Sequence, residues 1–409
     1  MNRTIRSVFF RVLCAGLALL LLAGCADGGS TASSSKAAVS GGEGSASVDS
    51  ETGEPVLSGD ASEAASGDAS AAATSSAAPV QTGVVADIPQ KAADPVAVEE
   101  TKAGKLSSFN VSKTGILQAY PEYDERIERD YTYTVTVTQG SNVRSLTCYN
   151  HCDAVASSDR TLNGDTVRRF CEFAFSGGPV RVDIAVKQDF KSYTVMPSAK
   201  GFKSERHDNV ISVYLEKPDY FLLKLDNKDD SILSVFADEP EVDVPKKGDP
   251  NVIYIEGWYD PGNWYLDVIK DGTTVYLAPG SVLNARLCVR GDNVTVKGRG
   301  MILDSFSNIY KQDVSIDRKV NGTVLRVFAV RGSNCTIDGI KMIDARDFNL
   351  IVGGSNTKVT NFKVLSSEMC TDGITQAGGS NNSYEHCFIY NGDNGIVVST
   401  GNNQKYKDI

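Results

Sequence analysis

The chain has 409 residues, of which 41% are hydrophobic and 22% are charged, and its formal net charge at pH 7 is −10. The first 24 residues hold three arginines and no acid, so the chain from Cys25 onward carries a net charge of −13. This acidic balance excludes an ordinary nucleic-acid-binding protein, which needs a basic surface. A polyanionic ligand stays open, because a local basic patch can oppose the net charge.

The N-terminus has the features of an export signal. Arg3, Arg6 and Arg11 precede the apolar run LCAGLALLLLAG, which is shorter than the roughly 20 residues of a membrane span. The segment LAGC, ending at Cys25, resembles the lipobox of bacterial lipoproteins. The resemblance implies a lipid on Cys25 and a membrane-anchored protein that faces the cell surface or periplasm. An ordinary signal peptide and an uncleaved anchor are the alternatives.

Residues 26–103 are rich in Ser, Ala and Gly and poor in aromatic and branched apolar side chains. Such a composition buries too little apolar surface to offset the entropy of ordering the chain. We therefore predict a disordered linker whose root-mean-square reach is about 50 Å. It separates the signal from the folded part.

Residues 104–248 contain short segments with the alternation of β-strands. The clearest is YTYTVTVTQ at 131–139, and PVRVDIAV, NVISVYL, YFLLKLD and SILSVFAD follow it between turn residues. No helical pattern competes with these segments. Strands at this spacing predict a β-sandwich domain.

Residues 249–409 contain a repeated phrase that begins with asparagine. Its last four starts are separated by 22, 25 and 22 residues, and an insertion widens the preceding gap to 41; the starts are Asn293, Asn334, Asn356, Asn381 and Asn403. A repeat of this length with two short strands predicts a solenoid whose coils bury a shared core. The leucine pattern of leucine-rich repeats is missing, so we predict a right-handed parallel β-helix. Because the chain stops within a repeat phrase, we expect the sequence to be a C-terminally incomplete fragment.

Seven cysteines remain after Cys14, in the signal, and Cys25. The odd number requires at least one free thiol if the protein is exported. Two interpretations are open for the cluster near residue 150: a zinc site on Cys148, His151 and Cys152, or a disulfide among Cys148, Cys152 and Cys171. No fourth zinc ligand is evident, which favours the disulfide. We expect the others to pack as small buried hydrophobes: Cys288, Cys335, Cys370 and Cys387.

Two acidic turns carry the candidate chemistry. Asp372 lies in CTDGI and Asp393 lies in NGDNGI, 21 residues later, which is close to one repeat. In a β-helix this offset places both carboxylates on one face of adjacent coils, about 4.8 Å apart along the axis. Such a pair can flank a glycosidic bond, and mutual repulsion raises one pKa. Asp-Gly is a common turn, and spacing alone favours two ordinary turns over a catalytic pair.

The phrases TDGI, NGDNGI and GRGMILD together resemble glycoside hydrolase families 28 and 49, the polygalacturonases and dextranases. The resemblance covers about residue 110 to the end. It implies inverting hydrolysis of an α-linked polysaccharide, pectin or a dextran-like glucan, with Asp393 as general acid and Asp372 as general base. Asn394 stands where these families have a second aspartate, which leaves Asp372 as the sole carboxylate at the water site. The histidine and basic motifs of family 28 are absent from the sequence.

Three further residues are weaker candidates for substrate binding. Asn394 and Gln376 flank the acidic turns, and each could bond a sugar hydroxyl; Gln376 could equally be an ordinary surface residue. Trp258 belongs to an aromatic group with Tyr259, Trp264 and Tyr265, which either stacks on sugars or packs at the domain junction. The three histidines show no triad spacing.

Three functions are therefore compared. The first is a monomeric polysaccharide hydrolase that needs no cofactor or metal. The second is a non-catalytic surface protein that binds glycan or mediates adhesion on the same fold, which Asn394 favours. The third is a polysaccharide lyase, which would need calcium and an Arg or Lys base, and no acidic calcium cluster is evident.

Overall fold

The computed structural model describes residues 83–102, 111–151, 168–262, 265–303, 319–320, 323–324, 327–345, 347–367 and 371–409. The described chain is almost entirely β-structure. Its first ten strands are β1 Ile116–Ala119, β2 Arg129–Gln139, β3 Asn142–His151, β4 Arg168–Ser176, β5 Val180–Val186, β6 Tyr193–Met196, β7 Lys203–His207, β8 Val210–Leu215, β9 Asp219–Leu225 and β10 Ile232–Asp238. Two 3₁₀ turns, Ser198–Lys200 and Asp229–Ser231, lie between them.

These ten strands are hydrogen-bonded in one mixed sheet of order β6-β9-β10-β4-β3-β2-β5-β8-β7, with β1 added on β4. The pairing is antiparallel except between β10 and β4, which run parallel. Alternate apolar side chains form one buried cluster that includes Val135, Phe173, Ile184 and Val213. The predicted β-structure is present, but one continuous sheet does not confirm the two separate sheets of a sandwich.

The end of the predicted disordered linker is ordered, which corrects the prediction for residues 83–102. A short helix, α1 Pro95–Glu100, begins after Asp94, whose Oδ1 accepts from the N–H of Val96 at 2.8 Å. The hydroxyl of Thr101 lies 2.7 Å from that of Thr136 in the sheet. Ile88 and Ala97 are buried. These few apolar and capping residues supply contacts that the overall Ser/Ala/Gly composition concealed. The rest of the linker and Cys25 lie outside the described residues.

The remaining strands form a parallel β-solenoid of about six turns. They are β11 Val252–Ile255, β12 Trp258–Tyr259, β13 Tyr265–Val268, β14 Thr274–Leu277, β15 Val282–Leu283, β16 Arg286–Val289, β17 Thr295–Gly298, β18 Met301–Leu303, β19 Lys319–Val320, β20 Thr323–Val324, β21 Phe328–Val330, β22 Thr336–Asp338, β23 Lys341–Ile343, β24 Leu350–Val352, β25 Lys358–Thr360, β26 Lys363–Leu365, β27 Ile374–Ser380, β28 Ser383–Glu385, β29 Phe388–Tyr390, β30 Ile396–Asn402 and β31 Lys405–Lys407.

The solenoid strands stack into three parallel sheets. The first sheet has the order β11-β14-β17-β22-β25-β28-β31, the second β12-β15-β18-β23-β26-β29, and the third β13-β16-β21-β24-β27-β30. The predicted insertion holds a separate antiparallel pair, β19 and β20. Inward side chains of all three sheets meet in one buried cluster. The prediction of a parallel β-helix from the repeat is therefore confirmed as a solenoid.

The repeated asparagines have a physical role in the turn before the first sheet. Asn334, Asn356, Asn381 and Asn403 all adopt left-handed backbone, with φ between 55° and 60°. Asparagine tolerates this conformation better than other residues with a Cβ atom. Their side-chain amides form a ladder from coil to coil, with donor–acceptor distances of 3.0, 3.3 and 2.7 Å.

The ten-stranded sheet packs against the second solenoid sheet through an apolar and ionic interface. Tyr220 and Phe236 join Leu303 and Leu365 in its apolar cluster. Lys341 and Lys363 are completely buried there, with Nζ atoms 2.7 Å from Glu172 Oε2 and 2.5 Å from Asp238 Oδ1.

Five cysteines in the described residues are free and buried. The sequence predicts a disulfide among Cys148, Cys152 and Cys171; the two described members, Cys148 and Cys171, are free thiols, and burial together with Cys148 raises the pKa of Cys171. Cys152 lies outside the described residues, and so does the zinc site predicted on it. Within the described part of the chain, none of the helices has the length and apolarity to span a membrane.

Candidate active site

Asp372 and Asp393 lie in corresponding turns of neighbouring coils, between the second and third solenoid sheets. Asp372 precedes β27 and Asp393 precedes β30. The register of these strands pairs Ile374 with Ile396, which sets Asp372 opposite Asn394 and Asp393 one residue earlier. The Gly373 N–H donates to the Asn394 carbonyl at 2.9 Å, so hydrogen bonding holds the two turns in this register.

Asp372 is a buried carboxyl group with an accessible neighbour. Its exposed fraction is 4%, and burial raises its pKa from 3.8 to about 6. The side-chain amide of Asn394 donates to its Oδ1 at 3.0 Å and opposes this rise, as does the Asn394 backbone N–H. Asp393 is half-buried, and its charge raises the pKa of Asp372 further. The two carboxylates therefore differ in burial, and Asp372 stays protonated to a higher pH than an ordinary aspartate does.

A third carboxylate, Asp347, comes from the preceding coil and was not recognised in the sequence. It is buried, its Oδ1 accepts from the Phe348 N–H at 2.8 Å, and its charge also raises the pKa of Asp372. Asp347 lies 25 residues before Asp372, which is one repeat length. Asp347 could have been found in the sequence by aligning all the coils with one another, instead of comparing only the two acidic turns.

Two buried or half-buried amides fix the backbone of the acidic turns. Asn349 Nδ2 donates to the carbonyls of Thr371 and Asp372, each at 3.1 Å. Asn391 Nδ2 donates to the carbonyls of Thr371 and Asn394, each at 2.7 Å. Both amides bond the Thr371 carbonyl, and each adds a second hydrogen bond to a carbonyl that already accepts a backbone N–H, so the backbone that carries the two carboxylates is braced.

Gln376 is not available to a ligand, which corrects its predicted role in substrate binding. It is completely buried inside the solenoid. Its Oε1 accepts from Asn382 Nδ2 at 3.2 Å and from the Tyr384 hydroxyl, and its Nε2 donates to the Gly378 carbonyl. In the register of β27 with β24, Gln376 pairs with Val352, which is completely buried in the solenoid core.

Trp258 lies away from the acidic turns. It is in β12, four coils before Asp372 in the stack, or about 19 Å along the axis. It borders the apolar interface between the ten-stranded sheet and the solenoid, with the Arg126 guanidinium 4.2 Å from its ring centroid. The structure thus places Trp258 at the domain junction, and Tyr259 packs on the solenoid core. Trp264 lies outside the described residues.

One cluster among the described residues has the composition of a metal site: Asp219, His386 and Asp408. A lysine already occupies it, since Lys200 Nζ lies 2.5 Å from Asp219 Oδ1 and 3.0 Å from Asp408 Oδ1. His386 Nδ1 lies 2.6 Å from Asp408 Oδ2. The ammonium group forms ion pairs with both carboxylates, so the cluster is an ion-pair network.

The fold and site therefore define a parallel β-solenoid protein with paired carboxylates on adjacent coils. No family model matches the chain, and no curated protein matches it. A solved structure from Parabacteroides merdae ATCC 43184, described as a "putative glycosyl hydrolase", is similar over 38% of this chain and 77% of its own, at 16% identity and a TM-score of 0.30. A likeness at this level carries no argument about function.

Proposed function

We propose that the protein is a glycoside hydrolase that cleaves an α-linked polysaccharide with inversion of configuration. The observation that carries the proposal is the pairing of Asp372 and Asp393 on adjacent coils, one buried and one accessible. Asp393, the more accessible group, protonates the leaving oxygen, and Asp372 accepts a proton from the attacking water. Pectin and dextran-like glucans are the substrates to test first.

The environment of Asp372 is compatible with the role of general base, and the pH dependence below distinguishes this role from that of the acid. A carboxyl group with a pKa of about 6 is ionised at neutral pH and is more basic than an ordinary aspartate. Both the side-chain amide and the backbone N–H of Asn394 bond the Asp372 carboxyl, which fixes its orientation toward the neighbouring coil. We therefore propose that Asn394 positions the base, in the place where a second acid would otherwise share that task.

The same geometry supports one alternative, a non-catalytic glycan-binding protein. Asp372 is almost fully buried, and an amide stands beside it instead of a second carboxylate. A site of this kind could bind sugar hydroxyls without activating water. Export and lipid anchoring through Cys25 are part of both proposals. Metabolic labelling with a radioactive fatty acid tests the lipid anchor, because wild type should incorporate the label and Cys25→Ser should not.

The experiment measures reducing ends released from polygalacturonan and dextran by the purified chain. Asp393→Asn and Asp372→Asn should each lower the rate by about 100-fold or more, as removal of an acid or base does. Asp271→Asn is the matched control, since Asp271 is an exposed solenoid aspartate whose acceptor oxygen survives the change. Binding without product would favour the glycan-binding alternative, and an unsaturated, ultraviolet-absorbing product would favour a lyase. Equal rates in all variants would refute the assignment.

The pH dependence separates the two catalytic roles. If Asp372 is the base, kcat rises with pH through a midpoint near 6, because only the ionised carboxylate accepts a proton. If Asp372 is instead the acid, kcat falls through the same midpoint. Proton NMR of the first-formed anomer tests inversion.

A further inference from the structure

We infer that Arg168, in the ten-stranded sheet, is a positioning residue for the carboxylate site of the solenoid. This inference rests on the proposed function and assigns to the ten-stranded sheet a part in it. Arg168 begins β4, 198 and 222 residues away in sequence from the solenoid groups that it contacts. Its exposed fraction is 7%.

The guanidinium bridges the starting points of the two acidic turns. Arg168 Nη1 donates to the carbonyl of Ser366, the first residue after β26, and to the carbonyl of Tyr390, the last residue of β29, at 2.7 Å. Asp372 lies six residues after the first contact, and Asp393 lies three residues after the second. One side chain thus ties together the two backbone segments that lead to the carboxylates.

The bridged segments are also joined to each other and to the amides that brace the site. The Ser366 N–H donates to the Tyr390 carbonyl at 3.1 Å, and Asn349 Nδ2 donates to Ser366 Oγ at 3.1 Å. Asn349 in turn bonds the Asp372 carbonyl. A displacement of Ser366 would therefore reach Asp372 through two hydrogen bonds.

Arginine suits this position better than lysine does. The Arg168 guanidinium carbon lies 3.9 Å from the centroid of the Tyr390 ring, so the same group stacks on the aromatic face and donates to two carbonyls. A planar guanidinium can do both at once, whereas an ammonium can donate to two carbonyls but cannot stack its plane on the ring. Burial strengthens the cation–π contact by removing competing water.

The test compares Arg168→Met and Arg168→Lys with Lys341→Met. Lys341 is a matched control because it is a buried cation of the same interface, paired with Glu172, and contacts neither acidic turn. Arg168→Met should lower kcat by about 100-fold with KM changed less than about threefold, as expected when reacting groups shift by about 1 Å. Arg168→Lys should recover part of this loss.

A second readout does not depend on turnover. Hydrogen exchange measured by mass spectrometry should speed up about tenfold or more in peptides covering 371–374 and 390–396 of Arg168→Met, since the bridge restrains local opening there. Peptides of β2 and β5, in the ten-stranded sheet, should be unchanged. In Lys341→Met these two acidic-turn peptides should exchange as in wild type.

The outcomes separate the inference from the proposed function. Faster exchange in the acidic turns of Arg168→Met supports the bridge, even if wild type releases no reducing sugar and the hydrolase proposal fails. Unchanged exchange in those turns overturns the inference, whatever the activity. Equal acceleration in Lys341→Met also overturns it, because the effect would then belong to the interface as a whole.

Discussion

The side-chain amide of Asn394 donates a hydrogen bond to Oδ1 of Asp372 at 3.0 Å, across two adjacent coils of the solenoid. This contact ties an exposed amide of one acidic turn to the buried carboxylate of the other. It lowers the pKa of Asp372 against the larger effect of burial. The amide therefore compensates in part for the cost of keeping a carboxylate in a poorly solvated position.

Replacing Asn394 with Asp should make the site more active and the protein less stable at neutral pH. A second carboxylate would stand in contact with Asp372 and could share the activation of water, which is worth about 100-fold when a general base is supplied. The two like charges would repel each other and raise the pKa of one of them. Reducing-sugar assays and denaturant unfolding at pH 5 and pH 7 measure both effects.

Asn227→Asp adds the same charge at an exposed turn outside the site and serves as the control. If Asn394→Asp leaves both the rate and the unfolding free energy at the level of this control, Asn394 has no influence on Asp372.

Asp372 should make the protein less stable as the pH rises from about 4 to about 6. Its folded-state pKa, about 6, lies above the ordinary value of 3.8, so the folded state binds more protons than the unfolded state in this window. Protonation of Asp372 therefore favours folding at low pH, and the advantage is lost as pH rises through the folded pKa.

In Asp372→Asn the side chain is uncharged at every pH, as the protonated acid is, and its oxygen can still accept the hydrogen bond from Asn394. We expect it to unfold at a higher temperature than wild type at pH 7 and at the same temperature at pH 4, measured by calorimetry. Asp271→Asn should differ from wild type at neither pH. An Asp372→Asn variant that is less stable than wild type at pH 7 would contradict the burial argument.

Asp238 should be the most sensitive ionic position of the interface between the ten-stranded sheet and the solenoid. Burial alone would raise its pKa, but Lys363 and Arg299 hold the pKa below its ordinary value. Asp238→Asn removes the anion that faces these cations and should cost about 3–5 kcal/mol in unfolding free energy. Urea unfolding monitored by circular dichroism measures the loss.

Lys363→Met should lower the unfolding free energy by less than Asp238→Asn does. Asp238 still has Arg299 Nε at 3.8 Å and still accepts from the Tyr220 hydroxyl at 2.7 Å. Surface Lys203→Met, which removes an exposed ion pair with Glu216, should change the free energy by less than about 1 kcal/mol. Equal costs for Asp238→Asn and Lys203→Met would show that the buried network does not stabilise the interface.

The asparagine ladder should contribute through both backbone conformation and hydrogen bonds, and substitutions at Asn356 separate the two. Asn356→Ala places a Cβ atom without a polar group in left-handed backbone and removes two ladder bonds, for a cost of about 2 kcal/mol. Asn356→Gly relieves the backbone cost and should lose about half as much. Thermal unfolding distinguishes them, and an alanine variant as stable as the glycine variant would exclude the backbone contribution.

The sequence alone determined the solenoid, its period and the coils that carry Asp372 and Asp393, because these depend on local requirements. Alternating apolar and polar side chains predict each strand. The left-handed turns favour one asparagine per coil, so the coils can be located from the sequence at Asn334, Asn356, Asn381 and Asn403. The order of the ten strands in their hydrogen-bonded sheet depends on which strands pair, and a list of strands does not contain that information.

Only the tertiary structure decided what each site residue faces. Gln376 and Asn394 flank similar turns, but the strand register directs the Gln376 side chain into the interior and places the Asn394 amide against Asp372. Packing of the sheet on the solenoid brought Arg168 to Tyr390 and Asp238 to Lys363, over 222 and 125 residues of sequence. Such contacts depend on packing between distant segments, and the burial that raises the pKa of Asp372 likewise exists only in the folded chain.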